Sequence, residues 1–100
     1  MSFRVVFHPE AADEMRDAEK FINDRRPGWG AKFRAGVMTA LDFVCSRPGG
    51  RVQRSGKYWR VDVVRFPYRI YYLVEQREIL VYAVYHSSRK DGGWKRRKFM

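Results

Sequence analysis

The sequence predicts a small α+β domain in the order β-α-α-β-β-β, with a helical hairpin packed on one face of a small antiparallel sheet. Three observations carry this. Apolar residues recur at spacings of three and four through the first half of the chain. Strand-like runs with two-residue alternation fill the second half. The connections between those runs, Arg65-Phe66-Pro67 and Glu75-Gln76-Arg77, are short enough for antiparallel hairpins. One hundred residues suit a single domain covering 1–100, and 45% hydrophobic content with seven Phe, six Tyr and three Trp supplies a core.

Phe3–Phe7, rich in β-branched and aromatic residues, reads as the first strand. Pro9 then suits a first helical turn, and Glu10, Asp13 and Glu14 favour a helix N-terminus. Ala11, Met15, Ala18 and Ile22 form one apolar stripe, which Phe21 widens, and Pro27-Gly28 ends the helix near Arg26. A second helix runs from Trp29 or Gly30 to Ser46 on the stripe Phe33, Val37, Leu41 and Val44, with Ala40 alongside, and Pro48-Gly49-Gly50 closes it. Three strands follow at Tyr58–Val64, Tyr68–Val74 and Glu78–Tyr85. Trp59, Val61 and Val63 alternate with Arg60 and Asp62, giving one dry and one wet face. The last run is apolar on both sides, as a central strand should be. The helices would cover one face of the sheet, leaving the other partly open with Arg and Tyr side chains on it. Residues 87–100 form a polar, basic tail broken by Gly92-Gly93.

The net charge of +10 is lopsided: residues 1–50 carry eight Lys/Arg against seven Asp/Glu, and residues 51–100 carry thirteen against four. That asymmetry suits a polyanion or an acidic protein partner. The single Cys45 excludes an internal disulfide and a four-thiolate metal site, and beside Phe43 and Val44 it reads as a buried thiol. His8-Pro9 breaks the N-terminal run too early for a signal peptide, and no stretch approaches a membrane span. A soluble, cytoplasmic protein without cofactor is expected.

Taken in order, several residue groups resemble the RelE/ParE family of toxins from bacterial type II toxin–antitoxin pairs. They are His8-Pro9-Glu10-Ala11, Phe21-Ile22 before Pro27-Gly28, Trp59-Arg60-Val61, Arg65–Tyr72, and Ala83-Val84-Tyr85-His86 followed by Arg89 and Trp94. The resemblance implies a cognate antitoxin that wraps over the toxin, usually with an acidic segment. It also implies one of two activities: RelE-like cleavage of messenger RNA on the ribosome, or ParE-like inhibition of DNA gyrase without catalysis. Fold alone does not choose between them.

Cleavage by 2′-OH attack needs a base, an acid and cations for the phosphate. His86, at a strand end beside a basic loop, is the candidate acid or base. Arg60, Arg69 and Arg89 are candidates for the phosphate clamp, since guanidinium grips phosphate through paired bonds. Arg65, beside a turn, reads as solvated surface. Tyr71 shares a face with Arg69 and is a candidate for base stacking, with Lys90, Lys95, Arg96 and Arg97 as further contacts. Trp94 either stacks on a nucleotide or folds back onto the sheet. Neighbouring Ser87-Ser88 should point apart and give no catalytic arrangement, and His8 and His86 lack the partners of a metal site. RelE-like nucleases are pictured with a tyrosine near the C-terminus, and here none follows Tyr85. The histidine and arginines favour a metal-independent endoribonuclease acting on ribosome and mRNA. The missing tyrosine and the missing nearby acid favour the alternative, a gyrase inhibitor docking through its tail and helical hairpin.

Overall fold

The computed structural model describes residues 3–47 and 53–99. Its elements are β1 (Arg4–Phe7), α1 (Pro9–Arg25), α2 (Trp29–Ser46), β2 (Gln53–Ser55), β3 (Tyr58–Asp62), β4 (Tyr68–Glu75), β5 (Glu78–His86) and a 3-10 turn at Gly93–Arg96. The α+β class and the helical hairpin are as the sequence predicts. Among the described residues no helix is long and apolar enough to cross a membrane.

Local chemistry sets the helix ends. His8 caps α1, its Nδ1 accepting the Glu10 N–H at 3.1 Å, with Pro9 in the first turn. Arg26 leaves the helix in an extended conformation, which suits a residue preceding proline. Gly28 then turns the chain with φ +89°, a left-handed conformation cheap only for glycine. Asn23 Oδ1 accepts the N–H groups of Gly28 and Gly30 at 2.9 and 3.2 Å, so a side chain of α1 satisfies the first orphan donors of α2. Arg47 closes α2 by donating to Phe43 and Val44 carbonyls. The expected Pro48-Gly49-Gly50 stop lies outside the described residues.

The expected stripes are buried at Ala11, Met15 and Ala18 on α1 and at Phe33, Val37, Ala40, Leu41 and Val44 on α2; Ile22 is only partly buried, and Gly30 at the start of α2 is buried as well. Phe21 does not widen the stripe. It is half exposed, and the Arg25 guanidinium carbon lies 3.7 Å above its ring. Cys45 sits at the margin of this core, where burial pushes its thiol pKa up.

The sheet has the order β1-β5-β4-β3-β2. Strands β2 to β5 are antiparallel neighbours, whereas β1 runs parallel to β5, pairing Val5 with Ile79 and Phe7 with Val81. The sheet is therefore mixed. No hairpin ties β1 to its neighbour, so the helical hairpin is free to return the chain in the same direction. The short β2 was not visible in the sequence. It forms through the two-residue turn Gly56-Lys57, where Gly56 has φ +64° at the first central position, as type II′ turns need.

One irregularity decides the faces of the sheet. Tyr71 pairs with Ala83, but Tyr72 pairs with Val81, leaving Tyr82 as a β-bulge. Before the bulge, Ile79 and Val81 face the helices and Leu80 faces away. After it, Ala83 and Tyr85 face away and Val84 faces the helices. The face turned away, expected to be partly open, instead carries a second core of Tyr58, Tyr71, Leu80, Tyr82, Ala83, Tyr85 and Trp94. The tail covers it: Trp94, only 3% exposed, stacks on Tyr71 at 4.4 Å and meets Tyr58 edge-on at 4.8 Å.

Candidate functional surface

Arg60, Asp62, Arg69 and Tyr71 lie on the tail-covered face, because Arg60 pairs across strands with Tyr71 and Asp62 with Arg69. Asp62 Oδ1 stands 3.5 Å from Arg60 Nε and 3.9 Å from Arg69 Nε. The two arginines are thus brought together, as expected, but around a carboxylate that offsets part of their charge. Both side chains are mostly buried. Tyr85 is the cross-strand partner of Arg69, and the Arg89 guanidinium carbon sits 3.8 Å above the Tyr85 ring. Arg89 Nε also donates to Asp91 Oδ1 at 2.7 Å. That bond raises the Arg89 pKa and lowers that of Asp91.

His86 is elsewhere. Its cross-strand partner is Tyr68, with ring centroids 5.2 Å apart, and Tyr68 in turn meets Phe33 of α2 at 5.0 Å. The imidazole therefore lies on the helix side, across the sheet from Arg60 and Arg69. Its Nδ1 accepts the Ser88 N–H at 3.0 Å and lies 2.8 Å from Ser88 Oγ. An N–H aimed at Nδ1 places the hydrogen of the neutral ring on Nε2. Ser88 thus turns back toward His86 instead of pointing away, because the chain bends at this strand end and Arg89 N–H returns to His86 O at 2.9 Å.

The tail residues divide. Tyr71 and Trp94 are buried against each other, with Trp94 folded back onto the sheet. Arg97 is anchored too. Its Nη1 and Nη2 donate to Glu14 Oε1 and Oε2 at 2.9 and 2.6 Å, and Nη1 also donates to Tyr82 O at 2.9 Å. Glu14 Oε1 accepts the Val84 N–H at 3.1 Å. The cause is local. The β1 ladder ends where His8 N–H meets Val81 O, so beyond that point β5 has an unpaired edge. One carboxylate and one guanidinium replace the missing strand. The bond to Glu14 raises the Arg97 pKa, and burial opposes the rise. Lys90, Lys95 and Arg96 remain exposed.

Sequence reasoning missed Glu14 and Asp62 as partners of these arginines, since both lie far off or on the same strand with no motif. It also missed a cationic group at the hairpin tip. The Arg26 guanidinium carbon lies 3.8 Å and Lys32 Nζ 4.4 Å from the centre of the Trp29 ring. The spacing of three on either side of Trp29 was the available signal. Among the described residues no group of three or more His, Cys, Asp and Glu could hold a metal ion.

A family model described as "ParE toxin of type II toxin-antitoxin system, parDE" matches residues 5–91, which takes in both helices and β2 to β5 and stops short of the 3-10 turn. No curated protein matches the sequence.

Proposed function

The chain belongs to the ParE toxin family of type II toxin–antitoxin systems, and from that premise we propose that it arrests growth by binding DNA gyrase, without cutting RNA. Membership implies a cognate antitoxin as its partner. The observation that carries the reading is the position of His86. A phosphodiester under 2′-OH attack must meet base, acid and cation within about 3 Å of its reacting atoms. Here the imidazole lies on the helix side of the sheet, while Arg60 and Arg69 lie on the tail side. Tyr71 and Trp94, the candidates for base stacking, are spent on each other. What stays presented to a partner is charge: Lys90, Lys95 and Arg96 around the tail, and Arg25, Arg26 and Lys32 at the hairpin tip. That is a surface for docking on an acidic protein.

The test uses the purified chain in two parallel reactions. One follows supercoiling of relaxed plasmid by gyrase; the other follows primer extension on messenger RNA translated in a reconstituted system. Loss of supercoiling with intact message supports the reading. New 5′ ends within translated codons, with supercoiling unaffected, would sink it and return His86 and the arginines to a nuclease role.

A further inference from the structure

Gyrase docking leaves His86 without a task, and the turn around it gives it other chemistry. The turn starts at the end of β5. Arg89 N–H donates to His86 O at 2.9 Å, so Ser87 and Ser88 are its two central residues. Both ends of the turn are pinned. His86 is held in the sheet by its pairing with Tyr68, whose ring it meets edge-on at 5.2 Å, and Ser87 N–H donates to Pro67 O at 2.8 Å. Arg89 is held by the Tyr85 ring 3.8 Å below its guanidinium carbon and by the 2.7 Å bond from its Nε to Asp91 Oδ1. Ser88 is thereby kept against the imidazole by groups on either side of it.

Three atoms then decide where the protons lie. Ser88 N–H donates to Nδ1 at 3.0 Å, so Nδ1 carries a lone pair and no hydrogen. Ser88 Oγ, 2.8 Å from the same Nδ1, can therefore only donate to it. The hydroxyl proton is aimed at a base, which is how a serine is made nucleophilic. Capping of the turn does not account for this, because the N–H bond alone supplies the cap and an Asn or Asp would accept it as well. Ser88 is exposed while His86 is half-buried, so the oxygen is open to a reagent and the base is sheltered. Exposed Lys90 adds positive charge at this end of the sheet, which favours a developing oxyanion. A phosphoryl donor would need its charges clamped, and the neighbouring Arg89 is committed to Asp91 and Tyr85. A neutral carbonyl makes no such demand.

We propose that Ser88 is a covalent modification site, a hydroxyl that takes an acyl group from an activated ester or thioester with His86 as its base. Ser88 Oγ attacks the carbonyl carbon as its proton passes to Nδ1. The bond from that carbon to the leaving oxygen or sulfur breaks, and the leaving group takes the proton from Nδ1. The products are a Ser88 ester and a free alcohol or thiol, and the imidazole ends neutral. The inference stands on this turn alone and holds whether or not gyrase is the toxin's target.

The full chain is incubated with p-nitrophenyl acetate, and acetylated positions are followed over time by peptide mass spectrometry. Hydroxylamine then separates serine esters, which it removes, from lysine amides, which it does not. Ser87, one residue away, is an internal control. Acetate should appear on Ser88 about a hundredfold faster than on Ser87 or more, since general-base assistance is worth roughly 10²–10⁴-fold. In His86→Asn the new Oδ1 can still accept the Ser88 N–H but cannot take a proton, so Ser88 should fall to the rate of Ser87. Ser88→Ala, at an exposed position, should lose the ester and keep the fold, as matching thermal melts would verify. The ratio of the two serines is read on the parent chain and so stands whatever becomes of the variants. The proposal is overturned by equal acetylation of Ser87 and Ser88, by acetate confined to lysines, or by a Ser88 rate that a folded His86→Asn leaves unchanged.

Discussion

The two faces of the sheet are held by different means. On the helix side, Phe33, Val37, Leu41, Val44, Ile70, Ile79 and Val81 are all essentially inaccessible, and two long helices distribute the burial over many side chains. On the tail side, four tyrosines are covered by a segment of a few residues, and the cover depends on Trp94 and on the Arg97–Glu14 pair. Spread burial tolerates loss of any one contact better than burial concentrated in two groups. The comparison also bears on function. The helix side is committed to packing. The tail side keeps its arginines beside Asp62 and under an aromatic seal, which is a poor arrangement for an open substrate site.

The strongest way to break this picture is to truncate one aromatic on each face. Phe33→Ala and Trp94→Ala should each cost ~3–5 kcal/mol in urea unfolding, the usual range for large buried aromatics. The two should differ in hydrogen exchange: Phe33→Ala lowers protection throughout, whereas Trp94→Ala opens residues 93–99 first and leaves α1 and α2 protected. Equal protection loss in both would show that the faces unfold as one unit.

Next in size is the ion pair. Glu14→Ala leaves a largely buried guanidinium with only the more distant carboxylate of exposed Glu10, at 3.7 Å, and ~3 kcal/mol of stability should be lost. Adding Arg97→Met should return much of that loss, because the orphaned charge is then gone. A double variant no more stable than Glu14→Ala would mean that the lost Val84 N–H and Tyr82 carbonyl bonds dominate.

A smaller effect sharpens the comparison from the helix side. The Tyr72 hydroxyl is buried with no hydrogen-bond partner among the described residues, and burial pushes its pKa up to about 12 from an ordinary 10.0. Raised in the folded state, this group contributes stability that is fully present below pH 10 and lost as pH climbs through 12, ~2–3 kcal/mol in all. Alkaline melts should show that loss, and Tyr72→Phe should reduce it while leaving neutral-pH stability equal or slightly higher. Least of all, Tyr58→Phe removes one hydrogen bond to Lys95 O, and ~1 kcal/mol or less should go.

Most of the fold was legible because it rests on local pattern. The stripes of α1 and α2, the Pro27-Gly28 break and the three long strands each announce themselves within a few residues. The candidate site was less legible, for one definite reason. Strict alternation along β5 from Leu80 would place His86 on the face of Arg69, where a histidine–arginine cluster is sensible. The bulge at Tyr82 inserts one residue and sends His86 to the other face. Nothing in Leu80–Val84 marks that insertion, since every residue there is apolar or aromatic. The tail misled for a related reason. Among Lys95, Arg96 and Lys98, the buried Trp94 and Arg97 look like more of the same solvated charge, and their anchors lie on other elements.

The pairing of Glu14 with Arg97 also sets a clock on the birth of the molecule. The partners are 83 residues apart in the chain. At about 5–20 residues per second, roughly 4–17 seconds of synthesis separate the appearance of one from the other. Most of that interval is spent making the strands themselves, and only over its last ~0.5–2 seconds, between the completion of β5 at His86 and the arrival of Arg97, do the edge of β5 and the tyrosine face stand open. Each copy therefore begins life in a form whose sticky strand edge is on show, and only the late arrival of Arg97 and Trp94 closes it. The nascent chain and the finished one present different surfaces to whatever meets them first.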